Sequence, residues 1–280
     1  MPKNEIDTPI AAAPTTRVAI ASLGAVGLKL AQVIDAGFEG YRLTAVSARD
    51  LDAAAERVAS FRTPPKVLPV SALEEFADIV IECAPAEIFS DIAEPFLRAG
   101  KTVIALSAGA VLRNEHLIKI AADHGGRIIV PSGALLGLDA VAAAAQGKIE
   151  SVRMITRKPV RGLLGAPHLE THGIEIKDIT EPMKIFEGSA REAAVGFPAN
   201  LNVAVALSLA GIGPDQTMLE IWADPALTRN NHQIQVVSDS ACFSMQIENI
   251  PSENPKTGRI TAQSVLAVLH KMKSPLQVGT

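Results

Sequence analysis

Residues 17–27 read Arg17-Val-Ala-Ile-Ala-Ser-Leu-Gly-Ala-Val-Gly27, and this stretch decides the fold. Val18–Ala21 is a short apolar strand. Ser22–Gly27 is a glycine-bearing turn, and Leu28–Ala36 carries the apolar spacing of an amphipathic helix. Strand, glycine turn and helix in that order are the setting of the dinucleotide fingerprint G-x-G-x-x-G, laid here over Ser22, Gly24 and Gly27. Ser22 stands where the first glycine belongs. Gly24 still lets backbone approach a pyrophosphate, Gly27 still lets helix and strand pack closely, and free amides at the helix start still attract phosphate charge. Ser22, Leu23, Gly24, Ala25, Val26 and Gly27 are therefore the first candidate cofactor contacts. The plain alternative is an ordinary tight strand–helix turn.

The segments beyond the turn support the fingerprint. Strand-like runs recur at Leu43–Ser47, Ile79–Glu82, Thr102–Ala105 and Arg127–Val130. Helix-like runs separate them at Asp52–Ala59, Ala86–Ala99 and Arg113–His124. Such alternation predicts an α/β fold with a Rossmann-type, doubly wound parallel sheet, whose ligands lie beyond the carboxyl ends of the strands. Those ends carry small residues: Cys83-Ala-Pro85, Ser107-Ala-Gly109 and Pro131-Ser-Gly133. Ala84, Pro85 and Ser107 join the cofactor candidates. The second strand ends in Ser47-Ala-Arg49-Asp50, without an early acid to hold a ribose 2′-hydroxyl. Arg49 suits a 2′-phosphate and Asp50 suits a helix N-cap. The sequence thus allows NADP and leaves NAD open.

The bulk composition agrees. The chain has 280 residues, 48% hydrophobic, 20% charged and only 4% aromatic, with a net charge of -4. This is globular rather than disordered, and it offers no electrostatic footprint for nucleic acid. Residues 1–16 are rich in Ala, Pro and Thr and read as a disordered leader. No apolar run is long enough to span a membrane, so cytoplasmic residence follows by elimination. Cys83 and Cys242 lie in apolar strand-like segments, predicting buried free thiols in a reducing compartment.

After Gly137 the pattern changes to an α+β region with an antiparallel or mixed sheet. Strands are predicted at Val152–Thr156, Met218–Trp222, His232–Val237 and Cys242–Glu248, with helices at Arg191–Ala194 and Asn200–Ala210. The expected organisation is a dinucleotide-binding domain at 17–136, a substrate domain at 137–250, and a C-terminal segment at 251–280. In that segment the helix Ile260–Lys273 returns to the first domain. The richest polar cluster, Ala223-Asp-Pro-Ala-Leu-Thr-Arg-Asn-Asn-His232, places His232 on a loop as a general acid/base candidate, because imidazole titrates near neutrality. His168 and His172 have H-x-x-x-H spacing but sit in a Gly/Pro-rich loop without the adjacent glutamate of a zinc helix. No metal site is predicted.

Several blocks together resemble the L-aspartate dehydrogenase family, whose architecture is related to that of dihydrodipicolinate reductase. They are Pro131-Ser-Gly-Ala-Leu-Leu-Gly-Leu-Asp139, Thr156-Arg-Lys-Pro159, Phe186-Glu-Gly-Ser-Ala-Arg-Glu-Ala-Ala194, Phe197-Pro-Ala-Asn-Leu-Asn-Val-Ala204, Ala223-Asp-Pro225 with Asn231-His232, and Glu253-Asn-Pro-Lys-Thr257. The resemblance spans nearly the whole chain. It implies oxidation of L-aspartate to iminosuccinate with NAD or NADP, or the reverse reductive amination, in a homodimer. It places the catalytic histidine on His232 and cofactor contacts on Ala134 and Asn200. A substrate with two carboxylates needs cationic or amide partners, for which Asn202, Lys158 and Arg229 are candidates. Ser22 and the bulky Leu135-Leu136 depart from the family pattern. The alternatives are an NAD(P)-dependent oxidoreductase for another amino or oxo acid, or a nucleotide-binding protein without turnover.

Overall fold

The structure, a computed structural model, describes residues 15–198, 201–251 and 258–279. In chain order the first elements are β1 (Thr16–Ala21), α1 (Ala25–Asp35), β2 (Tyr41–Ser47), α2 (Leu51–Val58), β3 (Lys66–Val67) and β4 (Ile79–Glu82). Then come α3 (Phe89–Arg98), β5 (Thr102–Ala105), α4 (Ala108–Arg113), α5 (His116–His124) and β6 (Arg127–Ile129). The second half contains α6 (Leu138–Ala144), β7 (Ile149–Pro159), α7 (Pro167–His172), β8 (Met183–Ser189), α8 (Ala190–Gly196) and α9 (Asn202–Ala210). It closes with β9 (Thr217–Asp224), β10 (Asn230–Ser238), β11 (Cys242–Asn249) and α10 (Ile260–Lys273).

The first six strands form one sheet in the order β3-β2-β1-β4-β5-β6, and every pairing in it is parallel. The order reverses at β1, which makes the crevice beyond β1 and β4 the switch point of a doubly wound sheet. Parallel sheets are covered on both faces, and β1 shows why its sequence is apolar throughout. Val18 and Ile20 pack with α1, α2 and α10. Ala19 and Ala21 pack with α3 and α5 on the opposite face. The Tyr41 hydroxyl donates to the Leu269 carbonyl at 2.7 Å, tying α10 to β2.

The last five strands form a mixed sheet, β11-β10-β7-β9-β8, in which only β7 and β9 run parallel. Here burial alternates along β10 and β11, the mark of a sheet with one covered face. Inward residues such as Met154, Ile221, Ile234 and Val236 pack with Leu169, Ala193, Phe197 and Leu207.

The structure corrects four expectations. His232 lies within β10 rather than on a loop, because the strand extends back to Asn230. Pro167–His172 forms a short helix, started by a proline at its first position and closed by Gly173 in the left-handed region. Cys242 is exposed and Cys83 only partly buried, although both are free thiols. β1 begins at Thr16, whose amide donates to the Gly40 carbonyl at 2.9 Å. Residues 1–14 of the expected leader, together with Asn200 and the Glu253–Thr257 block, lie outside the described residues. No described helix is long and apolar enough to cross a membrane.

Candidate active site

The β1–α1 turn is built around one forced conformation. Ser22 has φ +85°, alone among the described non-glycine residues in the left-handed region. Its amide donates to the Ser47 carbonyl at 2.9 Å, which holds the turn against β2. Its carbonyl lies 2.0 Å from where a Cβ on Gly27 would sit, so no side chain fits there. Around Gly24 nothing lies within 4 Å of a notional Cβ. Gly24 caps α1 without a side-chain hydrogen bond, and the first turn contains no acid. The amides of Ala25, Val26 and Gly27, in the first turn, have no intrahelical acceptor. This open cradle with its unmet donors fits the diphosphate of a dinucleotide. Leu23 is different. Its side chain is buried and its carbonyl accepts from Arg57 Nη1 at 3.2 Å, which leaves only its amide for a ligand.

At the end of β2, the Asp50 carboxylate accepts from the Ala53 amide at 3.0 Å and caps α2. Arg49 beside it is exposed. Ala84 and Pro85 follow the end of β4, and Ser107 follows the end of β5. The Ser107 hydroxyl donates to Glu82 Oε1 at 3.0 Å.

A cavity of about 100 Å³ lies between residues that follow β5 and β6 and residues of the second half of the chain. Its walls include Ala108, Ser132, Ala134, Lys158, Asn202, Asn230, His232 and Thr261. Five elements, α4, β7, α9, β10 and α10, converge on it with the loop after β6. Asn202 opens α9, and its Oδ1 accepts from the Gly109 amide at 3.2 Å, joining α9 to α4. The Ala134 carbonyl accepts from Asn249 Nδ2 at 2.8 Å, and the Gly133 amide donates to Ser264 Oγ at 3.1 Å. Lys158 and Thr156 stand on the same face of β7 at a spacing of two, and both are buried. Thr156 faces His232 across the β7–β10 ladder.

His232 is 2% exposed, and its Nδ1 lies 3.1 Å from Thr156 Oγ1. Burial, and secondarily the Lys158 charge, push its pKa down to about 3. It is therefore a neutral imidazole across the physiological range, next to a buried cation.

Of the candidates read from sequence, Ala134, Lys158, Asn202 and His232 meet in this cavity. Arg229 does not. It lies exposed in the turn between β9 and β10, just before the strand that carries His232 inward. Thr156, Asn230 and Thr261 escape a reading of the sequence. Strand alternation is the available signal for Thr156, two positions before Lys158. The His168 and His172 rings stack at 4.0 Å, with His168 also against Phe186 and Phe197. Among the described residues no group of three or more His, Cys, Asp or Glu is placed to hold a metal ion.

A doubly wound sheet with an open phosphate cradle, joined to a second sheet that presents a buried histidine and lysine, defines a nicotinamide-nucleotide-dependent dehydrogenase. Residues 23–131 match the NAD-binding domain described for homoserine dehydrogenase, and residues 139–272 match the C-terminal domain of aspartate dehydrogenase. The chain is 57% identical over 264 residues to the L-aspartate dehydrogenase of Bradyrhizobium diazoefficiens, covering 94% of each. It is 58% identical to L-aspartate dehydrogenase 3 of Bordetella bronchiseptica, covering 94% of this chain and 97% of that one. The crystal structure of aspartate dehydrogenase from Thermotoga maritima superposes with a TM-score of 0.71 at 25% identity, over 94% of this chain and 99% of that one. The chain belongs to the L-aspartate dehydrogenase family.

Proposed function

We propose that the chain catalyses the reversible NAD(P)-dependent oxidation of L-aspartate to iminosuccinate, which yields oxaloacetate and ammonia. The reading is supported above all by the neutral His232 beside the Lys158 cation in one buried cavity. Ser22, Gly24, Ala25, Val26 and Gly27, with the Leu23 amide, would hold the diphosphate. Arg49 would meet the adenosine ribose side, and Ala84, Pro85, Ser107, Ala134 and Asn200 the nicotinamide half. When bound, the nicotinamide accepts hydride from the substrate Cα.

The side chains supply charge and proton transfer. Lys158 takes one substrate carboxylate, and the amides of Asn202 and Asn230 take the other. His232 accepts a proton from the substrate ammonium, freeing the nitrogen lone pair to drive hydride departure. The Thr156 hydroxyl is both donor and acceptor, so it holds Nδ1 in either tautomer and leaves Nε2 to exchange the proton. A carboxylate paired with Lys158 offsets the lesser, electrostatic part of what keeps His232 a weak base, so its basicity rises when substrate is in place. In reductive amination the same imidazole returns the proton.

The test is oxaloacetate with ammonia, assayed with NADH and NADPH in parallel and beside a panel of other oxo acids. Fastest turnover with oxaloacetate is expected, and its absence refutes the substrate. The variant His232→Ala is expected to lose about a hundredfold or more in turnover. We further propose a cytoplasmic homodimer acting on a dicarboxylic amino acid. Its two free thiols suit a reducing compartment, and light scattering reads the mass.

A further inference from the structure

One buried ionisable group takes no part in this chemistry. Glu82 ends β4 and is completely buried. Its carboxylate accepts three hydrogen bonds from the two crevice loops. Oε1 takes the Ala84 amide at 2.9 Å and the Ser107 hydroxyl at 3.0 Å, and Oε2 takes the Ser107 amide at 3.0 Å. Burial lifts its carboxyl to about 7, against the pull of these hydrogen bonds in the other direction. Above that pH it is an ionised, acceptor-only group facing three donors.

We propose that Glu82 is a positioning residue for the cofactor crevice, locking the β4 and β5 end loops into the spacing that receives the nicotinamide half of the dinucleotide. Loops at strand ends are free to splay, since their amides sit beyond the ladder. Glu82 replaces the missing ladder contacts and ties Ala84 to Ser107 across the sheet. Glutamine has the same shape but cannot do this. Its amide sets an N–H₂ against either the Ser107 N–H or the Ala84 N–H, so one backbone donor loses its acceptor.

The proposal rests on the crevice placement proposed for the cofactor, and the two are tested separately. NADH fluorescence titration of the Glu82→Gln variant should show the Kd raised about tenfold or more, the loss of a hydrogen bond to a charged group. With cofactor saturating, the KM for L-aspartate should move by less than about threefold, a split that general destabilisation does not produce. An NADH Kd within about twofold of wild type overturns the proposal. Gly24→Asp puts an anion into the open cradle without a clash. Unchanged NADH affinity in that variant overturns the crevice placement, whereas weakened binding there with unchanged binding in Glu82→Gln overturns the Glu82 role alone. Should Glu82→Gln not fold, amide exchange on the wild type decides. Ala84 and Ser107 should be protected before NADH is added, and free exchange at both overturns the proposal.

Discussion

The variant Thr156→Val isolates the contact that orients His232. Valine keeps the volume of threonine and replaces the hydroxyl by a methyl, so packing around this fully buried position is retained. What is lost is the 3.1 Å contact with Nδ1. That nitrogen lies in a 2% exposed ring, so losing its partner costs about 1–3 kcal/mol. For a chain of this size such a loss lowers the melting temperature by roughly 2–4 °C per kcal/mol. The kinetic effect is larger in proportion, because an imidazole free to turn presents the wrong nitrogen to the substrate. A drop in kcat of about ten- to a hundredfold is expected, within the share that general acid/base catalysis contributes. Thr156→Ser keeps the hydroxyl and should recover most of it. Differential scanning fluorimetry and steady-state kinetics with L-aspartate measure both effects. A Thr156→Val enzyme with wild-type kcat, alongside an inactive His232→Ala, would refute the orienting role.

Three further outcomes are expected. Ser22→Gly relieves a left-handed serine and should raise stability by about 1 kcal/mol while leaving NADH affinity the same or tighter; a fall in melting temperature contradicts the strain argument. Arg49→Ala should raise the KM for NADPH about tenfold more than that for NADH, as expected for loss of a charged partner of the 2′-phosphate, and equal changes remove Arg49 from that role. Stability should respond to pH in opposite senses at two buried groups. His232 titrates near 6.5 unfolded and about 3 folded, so its contribution is lost as pH falls through that window. Glu82 titrates near 4.5 unfolded and about 7 folded, so its contribution is lost as pH rises from 4.5 to 7. Between pH 4.5 and 6.5 the slopes, each up to about 1.4 kcal/mol per unit, oppose one another. Melting temperatures of Glu82→Gln should climb with pH there and those of His232→Ala should fall; parallel curves refute the assignment.

The chain announces its first sheet openly because parallel strands are buried on both faces, so Val18–Ala21, Ile79–Glu82 and Thr102–Ala105 read as nearly unbroken apolar runs. The second sheet is harder to read. Its strands have one covered face, and a side chain's direction depends on where the strand begins. Starting β10 at Asn230 rather than His232 turns a loop histidine into a buried one and leaves Arg229 in solvent. Chain position places Leu23 and Ser107 at the crevice, yet their side chains turn inward, to the core and to Glu82. Position along a chain locates a loop; only the assembled sheet says which way each group in it points.

The missing glycine at Ser22 shows the same limit from the other side. As a pattern, two glycines of three weaken the fingerprint. As a conformation, nothing is missing, since Ser22 adopts the left-handed backbone that a glycine would have taken. The reason lies at Gly27, where a Cβ would meet the Ser22 carbonyl at 2.0 Å. That carbonyl stays there because the Ser22 amide is bound to Ser47 and α1 packs down on the turn. Gly27 is therefore the position the turn cannot give up. Ser22 accepts a conformational cost of about 1–2 kcal/mol that the two neighbouring strands are able to impose. A gain on Ser22→Gly and a collapse on Gly27→Ala would be two readings of one constraint.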